Sequence, residues 1–336
     1  MLIVGQGLAG TALGLELERA GVPFAIASDG HARAASMAAA GLVNPVQGQR
    51  FVKVWRVEEL RPFAEDWYRG VEAELGVTLW HPLRLRRLFA NATEAARAAR
   101  KLASGELAPF ARAADGGVEI HGAAWVDLPA LLTRAAERWR ARGVLCAAAV
   151  THAEVQADAT GVVWRGERFA AAVLCTGRGV LAREFFPELP FEAAKGEILH
   201  VGGSELPVGH AVSRGTWAIA DAPGRARVGA TYEPGVEDEA ASATARASLL
   251  ASARAFVPGN LTVIEQRAGV RVSLPDRLPA AGWRHDARIG LFGALGSKGT
   301  LFAPWLARRW REALGGATNA WPDAVSVARS HASGGR

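Results

Sequence analysis

The sequence is poor in cysteine, in lysine and in long apolar runs. Of its 336 residues only Cys146 and Cys175 are cysteines, and neither lies in a Cys-x-x-Cys pair or beside histidine. This excludes a disulfide framework and predicts two buried free thiols and no metal site. No apolar run has membrane-spanning length, and no basic segment precedes the first strand. We therefore expect a cytoplasmic protein without a secretory signal.

Positive charge comes almost entirely from arginine. The chain has 39 lysines and arginines against 33 acidic residues, a net charge of +6. The lysines are Lys53, Lys101, Lys195 and Lys298. This charge allows nucleic-acid binding without requiring it. Arg84 and Arg86 would share one strand face, which either meets phosphates or is merely solvated. The acidic cluster Glu237–Glu239 is most simply a solvated loop.

The first residues carry the pattern of a dinucleotide-binding turn. An apolar strand, Leu2–Val4, leads through Gly5-x-Gly7-x-x-Gly10 into a helix predicted over 11–20. The first glycine permits the tight turn and the second lets the backbone approach a pyrophosphate. The third allows the helix to pack closely on the strand.

The second predicted strand, 24–27, ends without the acid that commonly binds a ribose. Ser28 occupies the expected position, and Asp29 follows one residue late. The fingerprint alone therefore leaves a nicotinamide enzyme or a nucleotide-binding protein without redox chemistry open.

Periodicity predicts an α/β fold built from separated parts of the chain. Helices are predicted over 57–73, 91–102, 128–142 and 240–256, and after Gly299. A hairpin turn is expected at Arg165-Gly166. We predict a Rossmann-like FAD-binding domain (1–56, 140–192 and 264–331) interleaved with an antiparallel-sheet substrate domain (57–139 and 193–263), with a flexible tail at 332–336. Ligands would bind in the seam between the two domains.

Three further stretches are more specific. They are ASMAAAGLVNP (Ala35–Pro45), AGVRVSLPDRLPAAG (Ala268–Gly282) and GALGSKGTLFAPWLA (Gly293–Ala307). With the glycine turn they resemble the FAD-dependent D-amino acid oxidase superfamily, especially glycine oxidase and the oxidase domain of the tRNA enzyme that modifies 5-carboxymethylaminomethyluridine. The resemblance implies a glutathione-reductase-like fold and FAD as the cofactor.

The resemblance also implies a set of FAD-binding positions, in which small side chains let backbone amides reach the cofactor. These positions are Gly5, Gly7, Leu8, Ala9, Gly10, Ser28, Asp29, Ser36, Met37, Gly41, Leu42, Val43, Val150, Thr176, Gly177, Gly296, Ser297, Lys298, Gly299 and Thr300. The helix after Gly299 would stabilise negative charge on the reduced flavin. An ordinary alanine-rich helix at 35–45 is the alternative, which Asn44-Pro45 disfavours.

Arg271 matches the family arginine that binds the substrate carboxylate. A planar guanidinium can bind a carboxylate bidentately, although a structural pair with Asp276 is the alternative. Arg50 and Trp217 are further candidates for substrate binding. Lys298 is a candidate catalytic residue that would favour oxygen as electron acceptor, or else a surface lysine. Lys195-Gly196 matches the crossing into the substrate domain, where the lysine could equally lie at the surface.

The resemblance implies oxidation of a C–N bond beside a carboxylate, with hydride transfer to flavin N5 and hydrolysis of the imine. No protein base is required, so His81, His200 and His210 are expected to be structural. The substrate is a glycine-like, N-substituted or D-amino acid, or alternatively the carboxymethylaminomethyl group of a tRNA wobble uridine. No methyltransferase domain is present in this sequence, which gives the tRNA alternative less support.

Overall fold

The computed structural model describes residues 1–285, 288–318 and 320–329. Within them the α-helices are α1 (Leu8–Arg19), α2 (Ala35–Ala38), α3 (Val57–Leu75), α4 (Ala92–Ala103), α5 (Leu128–Ala141), α6 (Val180–Phe185), α7 (Ala243–Arg254) and α8 (Gly299–Leu314). The strands are β1 (Leu2–Val4), β2 (Ala25–Ser28), β3 (Leu42–Val43), β4 (Val46–Gln47), β5 (Val52–Lys53), β6 (Trp80–Pro82), β7 (Arg84–Leu88), β8 (Ala111–Ala114), β9 (Gly117–Ile120), β10 (Ala124–Val126), β11 (Leu145–Ala147), β12 (Gln156–Asp158), β13 (Gly161–Trp164), β14 (Glu167–Phe169), β15 (Ala172–Leu174), β16 (Glu192–Ser204), β17 (His210–Arg214), β18 (Thr216–Ala222), β19 (Arg225–Gly229), β20 (Glu233–Pro234), β21 (Gly259–Ser273), β22 (Ala280–Trp283) and β23 (Ile289–Gly293).

A six-stranded sheet in the order β11-β2-β1-β15-β23-β22 forms the nucleotide-binding half. Its first five strands are parallel, and β22 closes the edge antiparallel to β23. The central strand β1 is fully buried because helices cover its face. These strands come from three separated parts of the chain, as the sequence predicts.

A nine-stranded sheet forms the other half. Its order is β20-β16-β19-β18-β17-β7-β9-β8, and β21 pairs with β16. The β16–β21 pair is long and antiparallel, from Glu192 opposite Ser273 to Ser204 opposite Gly259. Helix α7 packs a small apolar cluster against this sheet.

The mixed α/β class is confirmed, whereas the exact division into two domains stays a prediction. Strand β21 runs across the predicted boundary at 263/264. The hairpin turn is present, since Arg165 and Gly166 separate β13 from β14. The predicted tail at 332–336 lies outside the described residues. Among the described helices none is long and apolar enough to cross a membrane.

A buried carboxylate joins three helices of the nucleotide-binding half. The Glu16 side chain on α1 has no solvent exposure, and Trp67 Nε1 and Arg19 Nη1 donate to Oε1 at 2.8 and 2.7 Å. From α8, Arg308 Nε donates to Oε2 at 2.9 Å and Arg311 Nη1 lies 3.2 Å away. Burial raises the pKa of Glu16, but these donors outweigh it, so the pKa lies below its usual value.

We expect Glu16→Leu to lower the free energy of unfolding by about 3 kcal/mol, because three arginines and an indole N–H lose a shared buried acceptor. Denaturant unfolding measures this. Since the folded pKa of Glu16 is lowered, its stabilisation is present at neutral pH and is lost as the pH falls through that value. The control is Glu137→Gln, whose exposed pair with Arg134 contributes at most about 1 kcal/mol. Equal losses in both variants would contradict the assignment.

Candidate functional site

A cavity of about 930 Å³ lies where the two sheets meet. The loops after β1, β2, β15 and β23 all reach it, so it sits at the carboxyl edge of the parallel strands. The predicted residues that line it are Gly5, Gly7, Leu8, Ala9, Ser28, Asp29, Ser36, Gly41, Leu42, Val150, Thr176, Gly177, Trp217, Arg271, Gly296, Ser297, Gly299 and Thr300.

Five predicted residues lie outside the cavity lining. Gly10 lies within α1, where a Cβ would stand 3.0 Å from the Gly5 carbonyl carbon, so it serves packing as expected of the third glycine. Val43 is buried in β3 opposite Ala124. The side chains of Met37 and Arg50 do not line the cavity, and Arg50 is exposed.

The remaining residue outside the lining is Lys298. It is half-buried, and burial and then the Arg277 charge lower its pKa. Lys298 is thus neither fully exposed nor in the cavity lining, and its role stays a prediction.

The glycine turn leaves backbone donors free at the start of α1. Gly7 precedes the helix, and no side chain caps that end. The amides of the first turn therefore face the cavity without an intrahelical acceptor. A Cβ on Gly7 would meet only Ala34 Cβ at 3.8 Å, so this side of the turn is open.

The end of β2 lacks a buried acid, as the sequence indicates. The Ser28 hydroxyl accepts from Gly30 N at 3.2 Å, and Asp29 is exposed at the cavity edge. Two residues after β15, which pairs with β1, the Oγ1 of Thr176 is buried and has no hydrogen-bond partner among the described residues. This hydroxyl is available to a ligand in the cavity.

Residues 34–42, here called the wall segment, form one side of the cavity. It contains the one-turn helix α2 and the start of β3, so it is not an ordinary alanine-rich helix over 35–45. Gly41 has φ +68°, and a Cβ there would overlap the Val126 carbonyl. Only glycine suits this turn.

The cavity lining also contains a cation without an ionic partner among the described residues. The side chain of Arg271 on β21 forms no ion pair or hydrogen bond with another described residue, and its Cζ lies 5.9 Å from the ring centroid of Tyr232. Burial lowers the pKa of Arg271, with Tyr232 opposing. The alternative pair with Asp276 is wrong, because Asp276 binds Arg329 at 2.8 Å. Tyr232 was not identified from the sequence.

Gly196 makes room for this guanidinium. A Cβ at Gly196 would overlap Arg271 Nη2 and stand 3.0 Å from Cζ. The adjacent Lys195 is buried rather than at the surface, and it bonds Asp238 at 2.8 Å. The Lys195-Gly196 pair therefore belongs to the site, although only the glycine lines the cavity.

The acidic cluster Glu237–Glu239 is not simply solvated. Asp238 binds Lys195, Glu237 binds Arg183 at 2.8 Å, and Glu239 binds both Arg33 and Arg178 at 3.1 Å. Arg33, Arg178, Arg183 and Glu237 line the cavity. This loop thus connects the antiparallel half to arginines that line the cavity. The sequence alone did not reveal this role, because the ion pairs form only in the folded chain.

The three histidines named above behave as structural residues, since none lines the cavity. His81 stacks on Trp125 with ring centroids 3.9 Å apart. Burial lowers the pKa of His81 and of His200.

These features fit FAD. The cavity presents uncapped amides at α1 and an unpaired Thr176 hydroxyl at one end. Helix α8 also begins at the cavity, at Gly299, without a side-chain cap. The donor sets at two helix starts suit a diphosphate and an anionic ring edge.

Residues 1–312 match the family model of FAD-dependent oxidoreductases of the D-amino acid oxidase type. The chain belongs to this family. It is therefore an FAD-dependent oxidoreductase, as the resemblance implied.

Solved structures share its fold. Glycine oxidase from Geobacillus kaustophilus superposes with a TM-score of 0.81 at 23% identity, covering 98% of each chain. Iminodiacetate oxidase from Chelativorans sp. BNC1 gives 0.77 at 20% identity, covering 97% of this chain and 98% of its own. At these identities the likeness establishes the fold.

Two bifunctional proteins of tRNA 5-methylaminomethyl-2-thiouridine biosynthesis are similar in sequence. The one from Caulobacter vibrioides is 30% identical over 345 residues, covering 91% of this chain and 53% of that protein. The one from Maricaulis maris is 36% identical over 142 residues, covering 42% and 23%. The chain thus spans about half the length of the Caulobacter relative.

We expect Gly196→Ala to raise the KM of a carboxylate substrate about tenfold, or about 1.4 kcal/mol. The added methyl displaces the Arg271 guanidinium. Steady-state kinetics measure the KM, and the flavin absorption reports unchanged FAD binding. Gly202→Ala, on the same strand but outside the cavity lining, is the matched control. A wild-type KM in Gly196→Ala would show that the guanidinium does not bind substrate.

Proposed function

We propose that this oxidoreductase oxidises the C–N bond of an amine that carries a carboxylate, with a glycine-like, N-substituted or D-amino acid as substrate. One observation carries the proposal: the unpaired Arg271 guanidinium lines the same cavity as Gly41 and Gly299. A cation that is desolvated without an acceptor is costly unless an anionic ligand supplies one. An α-carboxylate matches its planar donors.

The residues of the cavity have separate proposed roles. The α1 amides and Thr176 would hold the diphosphate, and the start of α8 would face the flavin ring. Bound FAD supplies the two-electron acceptor. Arg271 would orient the substrate carboxylate, with Tyr232 beside its guanidinium and Trp217 elsewhere in the cavity lining. No histidine among the described residues lines the cavity. The proposed hydride transfer from an amine bound neutral needs no side-chain base to abstract a carbon-bound proton.

A substrate panel tests the proposal. The FAD-loaded protein is mixed without oxygen with glycine, sarcosine, iminodiacetate and D-alanine, and bleaching of the flavin is followed. Amines matched in size but lacking the carboxylate are the controls. We expect the carboxylates to bleach the flavin and the N-substituted glycines to yield glyoxylate. Bleaching by none of the carboxylates would contradict the small-molecule proposal.

A second candidate substrate is a tRNA wobble uridine bearing a carboxymethylaminomethyl group. The Caulobacter relative, named for tRNA 5-methylaminomethyl-2-thiouridine biosynthesis, matches 91% of this chain and favours it. The same carboxylate would bind Arg271. Nucleoside analysis of tRNA carrying that group, before and after incubation, measures loss of the carboxymethyl unit. Turnover of the modified tRNA, with no bleaching of the flavin by any amine of the panel, would favour this candidate.

Lys298 carries a separate proposal, that its charge assists reaction of the reduced flavin with oxygen. We expect Lys298→Met to slow this reaction about tenfold, since a nearby charge that does not touch the site contributes about 1–2 kcal/mol. Stopped-flow mixing of the reduced protein with oxygen measures the rate. An unchanged rate would dismiss this role.

A further inference from the structure

The wall segment packs mostly through small or partly buried side chains: Ala40 belongs to the core, and Ala34, Met37 and Leu42 pack against it. None of the side chains in α2 is buried, and no side chain caps this helix. Six of the segment's nine residues are alanine or glycine, at 34, 35, 38, 39, 40 and 41. Nevertheless most of the segment lines the cavity. Because these side chains are small, contacts to the backbone of the segment also set its distance from a bound cofactor.

Four donors reach that backbone from outside the segment, one of them the Thr300 hydroxyl at 3.5 Å from the Leu42 carbonyl oxygen. Arg267 Nη1 donates to the Met37 carbonyl and Arg227 Nη1 to the Ala40 carbonyl, both at 3.2 Å. Val126 N donates to the Gly41 carbonyl at 3.0 Å. Both arginines belong to the nine-stranded sheet. The antiparallel half therefore holds a wall of the nucleotide site.

Arg227 is the more rigid of the two arginines. Only 8% of the residue is exposed, and its Nε donates to Asp221 Oδ2 at 2.7 Å. Its Cζ lies 4.1 Å from the ring centroid of Trp125, whose backbone pairs with Leu42 of the wall segment. The guanidinium is thus fixed by an ion pair and an indole before it meets Ala40. By contrast, Arg267 is about one-third exposed.

We propose that Arg227 is a positioning residue, whose bond to the Ala40 carbonyl fixes the wall segment at the separation that bound FAD requires. Arg227 itself does not line the cavity, so it acts through the backbone of Ala40. The inference rests on FAD occupying the cavity and is independent of which amine is oxidised.

Arg227→Gln tests the proposal, because glutamine loses the charge and cannot reach both Asp221 and Ala40. We expect the dissociation constant of FAD to rise at least about tenfold, the effect of one lost bond from a charged donor. The absorption bands of the bound flavin shift as its surroundings change. Fluorescence titration with FAD and the visible spectrum measure these effects.

Two further variants make the readout specific. Arg227→Lys keeps the charge but lacks the planar guanidinium, and we expect its FAD affinity to lie between those of Arg227→Gln and the wild type. Arg225→Gln is the matched control, since this arginine lies on the same strand but is exposed and outside the cavity lining. It should leave both the affinity and the spectrum unchanged. Thermal unfolding without FAD separates general destabilisation from the effect on the flavin.

A wild-type FAD affinity and flavin spectrum in Arg227→Gln would overturn the proposal, as would a fall in thermal stability with no change in either. If Arg227→Gln does not fold, Asp221→Ala carries the test, because it removes the carboxylate that accepts from Nε and leaves the guanidinium present. Unchanged FAD affinity and spectrum in Asp221→Ala would then overturn it. Failure of every amine in the substrate panel would leave these binding measurements unaffected, so the two proposals fail separately.

Discussion

Replacing Arg271 with alanine is expected to lower kcat/KM for a carboxylate-bearing amine about a thousandfold, or about 4 kcal/mol, while FAD stays bound. The reason is that the Arg271 guanidinium is the desolvated cation facing the cavity without an acceptor of its own. The loss should fall on binding and orientation of the substrate. Steady-state kinetics and the flavin spectrum of the same preparation measure both quantities.

Substrate variation makes this result diagnostic. A matched amine without the carboxylate should be turned over equally poorly by wild type and by Arg271→Ala, since neither can bind it through a guanidinium. Arg271→Lys should retain part of the activity, because it keeps a charge but not bidentate geometry. The exposed Arg225→Ala is the surface control. Retained turnover of the carboxylate in Arg271→Ala would mean that another group binds it.

Local signals in the sequence predicted much of the fold. The apolar run Leu2–Val4 with its glycine turn, and the hairpin at Arg165-Gly166, depend on neighbouring residues alone. The extent of β21 could not be predicted from such local signals. Its pairing from Glu192 to Ser204 joins strands more than fifty residues apart, and no short-range pattern specifies such a register. A boundary placed at 263/264 therefore divides one continuous strand.

The site was predictable where backbone geometry demands a residue type. Glycines at 5, 7 and 41 and the arginine at 271 line one cavity, and each was named from its motif. Arg227 was missed because it lies among three other buried residues, Ala226, Val228 and Gly229, without alternation. Its function depends on Asp221 and Trp125, which only the folded sheets bring together.

The second large effect is expected at the glycine turn, where Gly10→Ala should impair folding and Gly7→Ala should impair FAD binding. A Cβ at Gly10 would overlap the Gly5 carbonyl and stand 3.3 Å from Cys175 Cβ. The Gly5 backbone on one side and the buried Cys175 on the other leave the methyl no room, so we expect about 3 kcal/mol of destabilisation or loss of folded protein. At Gly7 the added methyl meets only Ala34 Cβ at 3.8 Å. Folding of the apoprotein should therefore be nearly unchanged.

The cost of Gly7→Ala should appear only with the cofactor, because the methyl occupies the space through which a pyrophosphate approaches the backbone. We expect the FAD dissociation constant to rise about a hundredfold, or about 2.7 kcal/mol. Thermal unfolding with and without FAD measures this, since ligand stabilisation depends on that constant. Gly70→Ala in α3 is the control, with only Arg19 Nη2 near at 3.5 Å. A wild-type rise in Tm on adding FAD to Gly7→Ala would place the diphosphate elsewhere, because contact at this turn leaves no room for the methyl.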